Sequence, residues 1–239
     1  MLLNRTAVNA EEIAAWSREA TRLHHRYQVE IVEACGLCPW AEKSRLDGHV
    51  RQFVLFDTDP AFVEPSVAVM AELALSAHVE VAFLIYPVLA LGRLDFEAFA
   101  GRVRTADAAT HRVGEIPFVS AAFHPEAEPD VSQAERLIPF LRRTPDPTIQ
   151  LIRGSVLDHV RGPTPQGTQF IDMESHDMFA PKTPAVVTSS LRERIAKTNL
   201  STALRLGVPE MSRRMDDIRR DRDEAYGRVQ GASTAREPR

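Results

Sequence analysis

Two cysteines, Cys35 and Cys38, lie three positions apart in the segment EACGLCPWAEKSRLDG, and the chain has no others. Proline is favoured at the first position of a helix, so Pro39 predicts that Cys38 caps the N-terminus of a short helix. Free backbone N–H groups and the positive end of the helix dipole stabilise a thiolate at such a position. A thiolate held in this way is a good ligand for iron, including heme iron.

The surroundings of the cysteines weigh against two common cysteine sites. A thioredoxin-type dithiol follows a strand, whereas a helix is predicted before Cys35. A structural zinc site needs about four ligands, and no His-x-x-His pair is present to complete one. Three interpretations of Cys38 stay open: an iron ligand, a redox or nucleophilic thiol, and a buried packing residue. Cys35 ends an apolar helical face and is interpreted as a packing residue.

Other candidate groups are a histidine and three arginines. His124 follows an apolar segment and precedes Pro125, at the carboxyl end of a predicted strand, where α/β sheets usually bind ligands. It is our candidate for a polar or acid/base group, and a hydrogen-bonded turn residue is the alternative. Arg142 and Arg143 before a turn, with Arg153 after a short strand, form a group suited to carboxylates such as heme propionates. Surface ion pairing is the alternative for these arginines.

His24 and His25 are adjacent on the first predicted helix, where neighbouring side chains point about 100° apart. This geometry prevents them from chelating one ion together. We interpret both as surface residues. The sequence also contains no Gly-x-Ser-x-Gly, His-Glu-x-x-His, Walker or dinucleotide motif. The common hydrolase, zinc protease, NTPase and dehydrogenase classes therefore have no support.

The elements that must position these residues alternate between helix and strand. A capping box, Asn9 with Glu12, opens a long amphipathic helix that runs to Cys35. Strands are predicted in four apolar segments: residues 48–56, 79–87, 116–123 and 148–153. The predicted fold class is α/β, with α+β as the alternative: a single domain with a mixed sheet of about four to five strands, packed helices and a C-terminal helical extension.

The chain divides into an α/β domain at residues 9–207 and a C-terminal segment at residues 208–239. Residues 162–190 contain four prolines and little periodicity, which predicts a long loop that acts as a lid or insert. Residues 208–239 are predicted to form a charged helix, either solvated or docked on a partner, followed by a disordered tail.

Composition restricts the partners. The 239 residues carry a formal net charge of -4 with scattered basic residues, so nucleic acid is not an expected partner. No apolar run approaches the roughly 18 residues that cross a bilayer, and no signal peptide is recognised, so no membrane is expected and the predicted location is cytoplasmic. A small-molecule substrate is the expected partner, with a protein partner or homo-oligomer through residues 209–226 as a further prediction.

Three blocks together resemble an uncharacterised bacterial family, domain of unknown function 1415. They are GLCPWAEKSRLDGHVRQFVLF, AAFHPEAEPD with RRTPDPTIQLIRGSVLDHV, and LRERIAKTNLSTALRLG. The resemblance covers roughly residues 15 to 207. It implies shared positions at Cys38, Pro39, His124, Pro125, Pro145, Pro147 and Asn199. The segment AERLIPFLRR and the 162–190 loop depart from the family pattern.

Two weaker resemblances point towards heme. CPWAEKSRLDG is similar in layout to the Cys-Pro helix opener of fungal heme-thiolate peroxidases, and the opener with its following strand, helix and strand resembles heme-dependent amino-acid N-oxygenases. Our first functional hypothesis is therefore an oxidoreductase in which Cys38 ligates heme iron. The alternatives are a thiol-dependent enzyme that uses Cys38, and a non-catalytic binding or assembly module that docks through its C-terminal helix.

Overall fold

The computed structural model describes residues 10–112, 115–161 and 191–234. In these residues, three parallel strands and one antiparallel strand form a single sheet. The strands are β1 (Val50–Val54), β2 (Val81–Ile85), β3 (Phe118–Phe123) and β4 (Thr148–Arg153). Their order across the sheet is β1-β2-β4-β3. β1 pairs with β2 in parallel, and β4 is antiparallel to both β2 and β3. This mixed sheet confirms the predicted α/β class.

Helices precede, connect and follow the strands. Those described are α1 (Ala10–Arg26), a π-helix (Tyr27–Glu33), α2 (Ala41–Leu46), α3 (Glu64–Ala74), α4 (Arg93–Ala108), α5 (Ala134–Leu141), α6 (Gly154–Arg161), α7 (Leu191–Leu206) and α8 (Val208–Thr234). α3 connects the parallel strands β1 and β2, as the predicted strand–helix–strand unit requires. α6, which directly follows β4, has no counterpart among the predicted elements.

Each face of the sheet packs against its own set of helices. On one face, Phe83 and Ile85 of β2 lie in an apolar core with residues of α1, the π-helix, α5, α7 and α8. On the opposite face, Ala82 and Leu84 lie in a second core with residues of α3 and α4. Successive side chains of a strand point to opposite faces, so a strand covered on both sides must be apolar throughout. This requirement explains the continuous apolar run of β2.

The long first helix is confirmed, but its last part is a π-helix. The backbone of Arg26 is still helical, with φ −56° and ψ −47°, and the π-helix continues from Tyr27. The Tyr27 hydroxyl donates a hydrogen bond of 2.7 Å to the carbonyl oxygen of Leu141 at the end of α5. π-helical turns are rare and occur frequently at functional sites. The predicted cap, Asn9, lies outside the described residues.

α8 packs along α1 and buries an apolar face against it. Met215 and Ile218 lie in the same apolar core as Leu23 of α1. Its charged side meets the basic side of α1, where Asp221 accepts hydrogen bonds of 2.7 and 2.6 Å from Arg22 and Arg26. The C-terminal helix is thus confirmed as a helix, and its apolar face is covered by this chain.

A glycine, Gly207, forms the turn between α7 and α8. Gly207 has φ +88°, a left-handed conformation that favours glycine, and its N–H donates to the carbonyl oxygen of Ala203 at 2.9 Å. The predicted 162–190 loop and residues 235–239 of the tail lie outside the described residues. In the described part of the chain, no helix is long and apolar enough to cross a membrane.

We expect Ile218→Ala to lower the free energy of unfolding by about 2–5 kcal/mol, because it leaves a cavity in the core between α1 and α8. The matched change Leu204→Ala, at a side chain 60% exposed on α7, is expected to stay within about 0.5 kcal/mol of the wild type. Urea denaturation followed by circular dichroism measures both values. Equal effects of the two substitutions would contradict the packing of α8 described here.

Candidate functional site

Three strands end at one edge of the sheet. β1, β2 and β3 finish there and β4 begins there, because Ile85 pairs with Val54 and with Thr148, and Thr148 pairs with Phe123. In α/β sheets, ligands bind beyond the carboxyl ends of parallel strands. This edge is therefore where a functional site is expected.

An open cleft of about 350 Å³ lies at this edge, between α1, the segment after β2 and α8. Pockets that bind small molecules start at roughly 300 Å³. The lining combines aromatic, apolar and charged side chains with one helical glycine: Trp16, Pro87, Val88, Arg222, Asp223, Tyr226, Gly227 and Gln230. The rings of Trp16 and Tyr226 pack against each other with their centroids 4.2 Å apart, and they form an aromatic wall.

A fully buried carboxylate anchors this wall. Asp146 precedes β4 and is 0% exposed. Its two carboxylate oxygens accept hydrogen bonds of 2.6 Å each from Arg222 Nε and the Tyr226 hydroxyl. Its backbone carbonyl oxygen accepts hydrogen bonds from the hydroxyls of Thr144 and Thr148, at 2.7 and 2.9 Å. These bonds fix two cleft residues of α8 to the carboxyl edge of the sheet.

One guanidinium in this cluster is shared between two carboxylates. Burial raises the pKa of Asp146, and the charge of Arg222 and the hydrogen bond from Tyr226 act in the opposite direction. Arg222 Nη1 also lies 2.9 Å from the carboxylate of the exposed Asp223, and its guanidinium stacks over the Tyr226 ring at 5.0 Å. Loss of either partner of such a buried pair would leave an uncompensated charge. This cost holds the side chains in their present arrangement.

His124 lies at the same edge, and both of its ring nitrogens are engaged. Nε2 lies 2.9 Å from the carbonyl oxygen of Leu91, and Nδ1 accepts a hydrogen bond of 3.1 Å from the backbone N–H of Glu126. Only a neutral ring with its proton on Nε2 satisfies both contacts. Burial lowers the pKa of His124, in agreement with a neutral ring. The acid/base role of His124 stays a prediction, and it requires one of these bonds to break.

The three predicted arginines do not form one group. Arg142 stacks on the Phe123 ring at 5.1 Å, and Arg143 donates to the carboxylate of Asp216 on α8 at 2.8 Å. Arg153 lies at the opposite end of β4, where its guanidinium donates to three backbone carbonyl oxygens at 2.7 to 3.0 Å. Arg143 and Arg153 therefore tie elements of this chain together, and the predicted role of the arginines in binding heme propionates stays a prediction.

Cys38 is partly buried just before α2. The helix begins at Ala41 with Trp40 as its N-cap residue, so the expectation that Cys38 is the cap is wrong by two positions. The sulfur accepts hydrogen bonds from the backbone N–H groups of Trp40 and Ala41, which lower its pKa, but burial has the larger effect and raises the pKa overall. The two hydrogen bonds that favour a thiolate are therefore present, and the effect of burial on the pKa of Cys38 outweighs them.

A multidentate metal centre has no ligand set in the residues described. Across residues 10–112, 115–161 and 191–234, no three His, Cys, Asp or Glu side chains are grouped as metal ligands. His124 follows the carboxyl end of β3, and its contacts are those given above. No hydrogen bond within these ranges joins it to Cys38.

A buried histidine was assigned wrongly to the surface. His25 is exposed, but His24 is only 1% exposed and packs against the Phe83 ring with the centroids 4.3 Å apart. Burial lowers the pKa of His24 to about 3. The repeat of buried positions on α1, which includes Trp16 and Ala20 at four-residue intervals before His24, was the signal that would have placed it inside.

The model of a family of proteins of unknown function, DUF1415, matches residues 20–175. The chain belongs to this family. The match covers more than half of the chain and includes Cys38, His124 and Asp146, so the predicted family membership is confirmed. No curated protein and no solved structure matches the chain.

In this DUF1415 protein, the buried carboxylate lies between two prolines that the family resemblance pointed to. Pro145 and Pro147 were chosen, and Asp146 between them was not. A lone carboxylate beside an apolar strand is a signal for a buried, paired charge. Arg222 and Tyr226 gave no local signal, because they lie 76 and 80 positions away and meet Asp146 only through the packing of α8.

We expect iodoacetamide to label Cys38 slowly at pH 7, because the raised pKa leaves little thiolate. Between pH 7 and 9 the rate should rise about tenfold per pH unit, in step with the thiolate fraction. Mass spectrometry of the folded Cys35→Ala variant measures Cys38 alone. Rapid labelling at pH 7 that does not change with pH would contradict the raised pKa.

Proposed function

We propose that the protein binds a small organic ligand in the cleft at the carboxyl edge of its sheet. The ligand has an apolar part, which packs against the wall formed by Trp16 and Tyr226, and a zwitterionic part, which meets Arg222 and Asp223. A small molecule is the partner class that the charge and composition of the chain favour. The observation that carries the proposal is the presence of a glycine, Gly227, inside α8 where this helix lines the cleft.

Gly227 has no structural reason to be a glycine. Its φ is not in the left-handed region, and a Cβ atom built on it meets no heavy atom within 4 Å. A glycine inside a helix costs about 1 kcal/mol relative to alanine. Gly227 lines the cleft, one position after Tyr226. Its lack of a side chain keeps the cleft open at a cost to the stability of α8, which supports a role for the open space.

The polar part of the ligand follows from the charges at the rim. Arg222 and Asp223 present opposite charges 2.9 Å apart, and the buried Asp146 already balances part of the charge of Arg222. A simple anion would have to compete with two carboxylates for Arg222, and a simple cation would meet Asp223 but make no use of Arg222. A ligand with both charges replaces the contact between Arg222 and Asp223 with one contact to each.

Three probes with the same ring test this proposal: L-phenylalanine, phenethylamine and 3-phenylpropanoate. Trp16 and Trp40 are the two tryptophans of the chain, so the Trp40→Phe variant makes Trp16 the reporter of the cleft in a fluorescence titration. We expect L-phenylalanine to bind more tightly than either singly charged probe. In the same background, Gly227→Leu is expected to weaken this binding at least about tenfold, because the new side chain fills the cleft.

Gly231→Leu is the matched control. Gly231 lies one turn further along α8, a Cβ atom built on it also meets nothing within 4 Å, and it does not line the cleft. Both substitutions should leave the helix folded, since leucine is a better helix former than glycine. Binding that survives Gly227→Leu unchanged, or that is lost equally in both variants, would refute binding in the cleft.

A second candidate is the heme-thiolate oxidoreductase predicted from Cys38. One observation favours it: the sulfur accepts two backbone N–H hydrogen bonds, the kind of contact that tunes electron donation from a thiolate to iron. The described arginines offer it less support, because Arg143 and Arg153 are engaged with groups of this chain. Heme would supply redox chemistry, and Cys38 would hold the iron.

We expect, if Cys38 ligates heme, a Soret band in protein purified from heme-supplemented cells. The band should disappear or shift in Cys38→Ala and remain in Cys35→Ala, the neighbouring cysteine that packs in the core. Absorption spectra and iron content measure both variants. A colourless wild-type protein would exclude the heme assignment and leave the cleft proposal intact.

A further inference from the structure

A polar cluster is buried beneath the junction of α1 and the π-helix, away from the residues that line the cleft. It consists of His24 on α1, Gln28 on the π-helix and Gln52 on β1. Gln52 Nε2 donates a hydrogen bond of 2.8 Å to Gln28 Oε1, which sets the two amides relative to each other. The amide oxygen of Gln52, Oε1, is buried.

Three atoms of this cluster are buried without a hydrogen-bond partner among the described residues: His24 Nδ1, His24 Nε2 and Gln52 Oε1. The Gln28 side chain lies where a hydrogen bond to the His24 ring would raise the pKa of His24, but the distances and angles do not meet the geometry of a hydrogen bond. A buried polar group without a partner destabilises the folded state, and nearly all such groups in native proteins have a partner. Three such atoms within one cluster require an explanation.

The surroundings define what the missing partner must be. The His24 ring lies against Phe83 and Tyr27, with ring centroids 4.3 and 6.0 Å away, so the cluster has apolar walls. Burial keeps the imidazole neutral, with one nitrogen as a donor and the other as an acceptor. Gln52 Oε1 is a further acceptor. The partner must therefore be neutral, and it must both accept and donate hydrogen bonds.

The local backbone also sets this cluster apart from ordinary packing. Gln28 lies in the first turn of the π-helix, a conformation that is rare and frequent at functional sites. Phe83 lies in register with Gln52 on the neighbouring strand, so the walls and the polar groups occupy one row of the sheet. An apolar residue at position 24 would pack in this row without an unpaired atom.

We propose that His24, Gln28 and Gln52 form a buried binding site for one neutral O–H group. The O–H group belongs either to an internal water molecule or to the hydroxyl of a small bound molecule. It accepts a hydrogen bond from the protonated nitrogen of His24 and donates one to Gln52 Oε1. This site rests on the unpaired atoms alone and is independent of the cleft proposal.

Nuclear magnetic resonance of the full-length protein, with ¹⁵N-labelled histidine, tests the site. We expect the His24 ring N–H to be hydrogen bonded and protected from exchange with solvent. A cross-peak from the His24 ring to a bound O–H at the water frequency identifies an internal water. A cross-peak to non-water protons, together with a hydroxyl compound found by mass spectrometry after denaturation, identifies a small bound molecule. Either result supports the site.

Substitutions give an independent measurement. If the O–H group is bound, His24→Phe removes one of its partners and leaves Gln52 Oε1 unpaired, so we expect the thermal midpoint to fall. Gln52→Leu, on the half-buried edge of the cluster, should also lower it and should remove the protection of the His24 N–H. His25→Phe, at the exposed neighbouring position, is the control and should leave the midpoint unchanged.

If no O–H group is bound in the cluster, the opposite change in the thermal midpoint is expected. Replacing unpaired polar atoms with apolar groups would then raise the thermal midpoint in both variants, because a buried penalty is removed. No cross-peak to an O–H group and no bound compound would be found. These results would overturn the proposed site, and they would leave binding in the cleft unaffected.

Discussion

The buried carboxylate of Asp146 is the constraint on which the rest of the structure depends. It joins the start of β4 to Arg222 and Tyr226 on α8, and it does so without contact with solvent. A charge in such a place is stable only while both partners stay in position. The position of α8 is therefore specified by directional bonds as well as by apolar burial. The aromatic wall and the open space at Gly227 follow from that position.

The clusters around Asp146 and His24 differ in how completely their atoms are paired. Around Asp146, each carboxylate oxygen and the backbone carbonyl have partners, so the cluster fixes the geometry of its surroundings. Around His24, both ring nitrogens lack them. A fully paired network makes a protein rigid, and an incompletely paired one requires an explanation, which the proposed bound O–H group supplies. This difference separates the structural role of Asp146 from the binding role proposed for His24.

Local sequence patterns predicted the strands and the long helices. They could not predict which distant elements contact each other. Residues 148–153 were predicted as a strand from their apolar run, and β4 has these bounds. Gly207 ends α7 in the left-handed conformation that favours glycine, so the end of this helix depends on a local residue type. His24 was misplaced, since adjacency to His25 was weighed above its spacing from Trp16. The charges of α8 suggested solvent or a partner, because nothing local indicates that Arg22 and Arg26 lie opposite Asp221.

The packing of α8 on α1 joins the two ends of the described chain, and this has a consequence for synthesis on the ribosome. Arg22 and Asp221 are 199 positions apart, so nearly the whole chain must be made before they meet. Translation adds about 5–20 residues per second. The apolar side of α1 therefore waits roughly ten seconds or more for its cover, and during that time the nascent chain exposes a surface that molecular chaperones bind.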